Sequence, residues 1–137
     1  MTKKVLLAIV VSLTLFGCND DEKKEKVLLR QIIEIHNKVM NDDEDVINNT
    51  AQLKSISANS QDAFVKDSVL YYVKSLTSAD SVMMKWMGRF NPDFKGKNHE
   101  QIMGYLTIQE QEILKVDSQV SSSLDASNTF IAKVKGK

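Results

Sequence analysis

The strongest constraint on this chain is a stripe in its middle. Val65, Val69, Tyr72, Leu76, Ala79, Met83, Trp86 and Phe90 follow one another in alternating steps of four and three, with no polar member. A seven-residue repeat of this kind keeps one side of an α-helix apolar along its length, and that side must be covered by other helices. A strand cannot use it, because strand side chains change face at every residue. Two further stripes share the period. On the N-terminal side run Leu28, Ile32, Ile35, Val39, Asp42, Val46, Asn49, Leu53 and Ile56. On the C-terminal side run Ile102, Leu106, Ile113, Val116, Val120 and Phe130, with Gln109, Ser123 and Ser127 as polar gaps. The expectation is an all-α fold.

Local signals set the predicted boundaries. The first helix is expected from about Lys23 to Ile56, with "NDDED" at 41 to 45 as a place where it would kink or break. The second starts near Ser60, with Asp62 in its first turn, and stops at Asn91-Pro92, since the residue before a proline is pushed out of the helical region. The third starts at Asn98, where Asn98 and Gln101 have the spacing of a capping box. Short connections at 57 to 60 and 91 to 97 make sequential helices antiparallel. The prediction is an up-down-up bundle of three long helices, each about 45 to 55 Å, or of four if the first breaks near Asn41. The third seam weakens toward its end through its polar gaps, which leave either a loose end or a groove for a partner. The tail, 134 to 137, is expected to fray.

The N-terminus carries an address. Lys3 and Lys4 precede an apolar run, Val5 to Phe16, interrupted only by Ser12 and Thr14. It is too short for a bilayer span, which needs about 20 residues, and reads as a removable signal over 1 to 17. The run ends "LFGC", similar to a bacterial lipobox. That resemblance implies cleavage before Cys18 and lipidation of this residue. The plainer alternative is an ordinary signal followed by an incidental cysteine. Cys18 is the only cysteine, so no disulfide braces the domain, and lipidation would remove a thiol that is a liability in an oxidising compartment. Multiple acyl chains give stable anchoring. The polar stretch "NDDEKKEK" that follows suggests a tether over 18 to 26. It resembles the acid-rich segment behind the lipidated cysteine of exported Bacteroidetes lipoproteins, which implies the outer membrane, at its periplasmic face or the cell surface. The bundle domain is then 27 to 133.

Without Lys3 and Lys4, 16 of the 18 basic residues remain against 18 acidic ones, a net charge of −2. Nothing in that balance points to nucleic acid.

Histidines and methionines cluster in the sequence-predicted bundle. Counting outward from the two expected turns places His36 opposite residues 81 to 83, Met83 opposite 105 and Met87 opposite 101. His36-x-x-x-Met40 and His99-x-x-x-Met103 each lie on one helical face. Imidazole and thioether donors suit Cu(I), so His36, Met40, Met84, Met87, His99 and Met103 are candidate copper ligands, with Trp86 positioned to cover the ion. A histidine–methionine haem is a further alternative. The competing interpretation is a plastic core, because methionine fills irregular gaps and packs on aromatic rings. Met83 and Trp86 lie on the seam and are buried either way. On balance the core interpretation is favoured, with no cofactor.

Two segments, "IHNKVM" (35 to 40) and "DSVMMKWMGRF" (80 to 90), resemble a group of small helical Bacteroidetes lipoproteins often labelled "viral A-type inclusion protein". The likeness extends to most of the mature chain only in layout. That group usually has a proline after the first segment, where this chain has Asn41. The resemblance implies a helical, coiled-coil-like lipoprotein and transfers no catalytic residue.

Catalytic motifs are absent. There is no Gly-rich phosphate loop, HExxH or CxxC. His36 and His99 have no spaced nucleophile, and "NDDED" lacks the glycine and alternate spacing of a calcium loop. Three tyrosines are too few for a base-stacking platform. The expected function is a lipid-anchored interaction or structural module of the envelope with no catalytic activity, partnered by the membrane and an envelope protein. The alternative is a Cu(I)-binding bundle.

Overall fold

The computed structural model describes the backbone of residues 17–136 and the side chains of residues 20–136. Apart from Gly17, the expected signal lies outside the described residues, as does the Cys18 side chain. Among the described residues the chain forms three helices and no strand: α1 (Gly17–Asn59), α2 (Ala63–Arg89) and α3 (His99–Lys135). Every pair of helices is packed together, with α2 antiparallel to α1 and α3. This is the all-α, up-down-up bundle that the heptads predict.

The seams explain the packing. Ile32, Val39 and Leu53 of α1 meet Leu76, Ala79, Met83 and Trp86 of α2 and Leu106, Ile113, Val116 and Val120 of α3 in one buried core. Fully burying a Leu or Ile contributes about 1.5 to 3 kcal/mol, so these layers supply most of what holds the rods together. No described residue other than glycine has a positive φ.

Several expectations need correction. The helices are unequal, at about 65, 40 and 55 Å from 43, 27 and 37 residues. α1 does not break at Asn41, so the four-helix alternative does not form. Lys38, one turn earlier, holds Asp42 at 2.9 Å and also reaches Asp117 of α3 at 2.6 Å, which ties the acidic stretch to the bundle as helix. The polar residues expected as a tether are also helical. Lys23 with Asp20, Lys24 with Asp21 and Lys26 with Glu22 pair at three- and four-residue spacings, each supporting local helix. At the other end α3 continues through Val134 and Lys135. The Gly136 N–H bonds Ala132 O, and Lys135 reaches Gln52 of α1.

The caps follow the sequence more closely. Asn98 caps α3, with its side chain accepting from the Gln101 N–H at 2.9 Å and the Gln101 side chain accepting from the Asn98 N–H at 3.0 Å. Asp62, expected inside α2, is instead its N-cap and accepts from the Phe64 N–H at 2.8 Å. α2 ends before Pro92. The linker then folds through two side-chain turns, Asn91 to Asp93 and Asp93 to Lys95. A tight turn closes it from Phe94 O to Lys97 N, with Gly96 at φ 78° where a side chain would be strained.

Candidate functional site

The histidine–methionine zone depends on how the helices align. Across the first hairpin, the His36 ring lies 5.9 Å from Trp86, not opposite 81 to 83. The difference is about one turn, because α2 starts at Ala63 rather than Ser60. Across the second hairpin the shift is larger. Arg89 pairs with Glu112 and Ser75 with Ser123, which puts Met83 level with about residue 117 and Met87 with about residue 113, a little over three turns from the expected partners. The extended linker 90–98 is the cause. It carries the chain past the end of α2, so the first turns of α3 lie beyond it, beside the start of α1.

That offset separates the candidate ligands. His99, first residue of α3, has Nδ1 2.7 Å from Glu25 Oε1 and Nε2 3.5 Å from Asp21 Oδ1. Met103, one turn on, borders a shallow surface trough with Lys23, Lys24, Val27, Leu28 and Gln31. His36 lies against Trp86, with Nδ1 3.2 Å from Asn37 Oδ1. Met87 is exposed. Met40 and Met84 instead line a small cleft in mid-bundle with Val39, Asp43, Val46, Asp80, Met83 and Val120. Met103 and Met40 are therefore about 20 Å apart along the bundle at 1.5 Å per residue. The six candidate copper ligands do not converge on one site. Among the described residues, no three His, Cys, Asp or Glu side chains are placed to hold a metal ion.

Trp86, 1% exposed, belongs to the core as its seam position predicts. It stacks on Phe90 at 4.8 Å, and Phe90 in turn faces Tyr105. The Tyr105 hydroxyl accepts from the Asn91 N–H at 2.8 Å and fastens the linker to α3. Met83 is buried beside this aromatic stack.

Sequence reasoning missed the buried polar contacts. Asn49 Nδ2 donates to Ser127 Oγ at 2.9 Å and to Asn128 Oδ1 at 2.7 Å, while Ser127 Oγ donates to Leu124 O. Ser75 and Ser123 share a 2.9 Å hydrogen bond. Two of the three gaps in the third seam, Ser123 and Ser127, are thus polar contacts between helices, while the third, Gln109, is buried with its Oε1 unpartnered among the described residues. A signal was present: Asn49 is a polar break in the first seam, and Ser123 and Ser127 are breaks in the third. Their pairing needed the register.

No family model, curated protein or solved structure matches this chain.

Two surface pairs shift their members. The Asp117 and Asp42 carboxylates raise the Lys38 ammonium above its usual range, and Lys26 lowers the Glu22 carboxyl. Among the described residues, no helix is long and apolar enough to cross a membrane.

Proposed function

We propose that the protein is a lipid-anchored helical module of the bacterial outer membrane that serves as a structural or interaction element without catalysing a reaction. The observation that supports this most is the continuity of α1. The residue expected to carry the lipid, Cys18, stands in the first turn of a 43-residue helix. An anchor there feeds directly into a rigid rod about 65 Å long. The α2–α3 linker would face the membrane, and the α1–α2 turn would project away from it. The likeness of residues 35 to 40 and 80 to 90 to small Bacteroidetes lipoproteins points the same way.

The test is Cys18→Ser in the full chain. Wild-type protein is expected in the membrane fraction and labelled by a fatty-acid analogue, and the variant in the soluble fraction without label. A variant that stays in the membrane would overturn the anchor.

A further inference from the structure

The mid-bundle cleft between α1 and α2 combines two kinds of donor. Met40-x-x-Asp43 on α1 meets Asp80-x-x-Met83-Met84 on α2, and all five side chains border one space of about 40 Å³. The helices are antiparallel, and the level of His36 with Trp86 extends to Met40 beside Met83 and Asp43 beside Asp80. The three thioethers and two carboxylates therefore line one cleft within about one turn along the bundle. Met83 is 4% exposed, while Met40 and Met84 are 40% and 59% exposed at the lip. The floor is valine.

We infer that this cleft is a binding site for a soft monovalent cation, Cu(I) or Ag(I), held by the Met40, Met83 and Met84 thioethers within the field of Asp43 and Asp80. The site is independent of the anchored-module reading. Three observations carry it. Uncharged thioethers select soft metals. Among the described residues Asp43 and Asp80 have no ion-pair partner, although Asp42, next to Asp43 in sequence, is held by Lys38. A cation between two like charges over an apolar floor relieves their repulsion. The space is also small, on the scale of a few water molecules at about 10 to 15 Å³ each. Hard cations fit poorly, because Ca²⁺ takes about six to eight oxygen ligands and the helix carbonyls here are committed to the backbone.

The test is Cu(I) titration under reductant against a competing colorimetric chelator, on full-length protein carrying Cys18→Ser so that the thiol does not compete. One equivalent should bind and raise the melting temperature, as any ligand specific to the native state must. Met40→Leu with Met84→Leu should keep the helical signal, since volume-conserving apolar swaps are tolerated. It should weaken binding by at least about 10- to 100-fold, the loss that even outer-shell partners produce. Asp43→Asn with Asp80→Asn should weaken it less, and Met87→Leu with Met103→Leu should leave it unchanged. Absence of binding overturns the inference. So does binding that survives loss of Met40 and Met84, or that is lost equally with Met87 and Met103.

Discussion

Two levels of the bundle treat buried polarity in opposite ways. Toward the α1–α2 turn, Asn49, Ser127 and Asn128 satisfy one another, and Ser75 and Ser123 do the same across α2 and α3. Toward the α2–α3 linker, the core is aromatic, and two buried polar atoms there have no partner among the described residues: Trp86 Nε1 and Gln109 Oε1. The contrast teaches that a polar residue on a heptad seam has no fixed value. Paired, it fixes which layers meet, as a buried asparagine does in coiled coils. Unpaired, it only loses its hydration.

The largest test of this contrast lies at the aromatic end. Trp86→Ala should cost about 3 to 5 kcal/mol in chemical denaturation, because it empties a fully enclosed volume. A loss under about 1 kcal/mol would mean that the surrounding rings collapse into the space. Next is Asn49→Ala, expected to cost about 1 to 3 kcal/mol by leaving Ser127 and Asn128 short of a donor. If it proved neutral, the paired layer would have no role in stability. Gln109→Leu should move the other way and stabilise by about 1 kcal/mol, since it removes an unpartnered buried oxygen. Opposite signs for Asn49→Ala and Gln109→Leu would sharpen the comparison, and equal signs would break it.

Smaller effects sit at the surface. Asn98→Ala should cost about 1 kcal/mol through loss of the α3 cap, read as a lower melting temperature. Lys38 gives the least. Its ammonium is raised above 10.5 in the folded chain by Asp117 and then Asp42. The stabilisation is therefore complete below that value and is lost as pH rises through the higher folded value. Its side chain is 53% exposed, so solvent screening keeps the effect within about 1 kcal/mol. Wild type and Lys38→Met should differ slightly at neutral pH and converge in strong alkali.

Much of the architecture was legible before any coordinates. The Asn98–Gln101 cap and the stop before Pro92 are local chemistry, decided within a few residues. The helix lengths were less legible. The stretch 18 to 26 looks like a tether by composition, yet its charges alternate in sign at helical spacing, and Glu25 finds His99 74 residues away. The expected alignment of the candidate ligand zone missed for a similar reason. Equal counting from a turn assumes a symmetric hairpin, and the linker 90–98 is extended enough to displace α3 by turns.

The sequence by itself determined the helices, their apolar faces and three-rod packing, because a seven-residue repeat is written residue by residue and leaves a covered stripe no other use. Only the tertiary structure decided which residues stand level with one another. That depends on how far an irregular linker travels and on which polar groups pair across helices, and neither is encoded at a fixed spacing. Met40 therefore lines one cleft with Met83 and Met84, His99 meets Glu25, and Asn49 meets Ser127, placements that no count along the chain would have found.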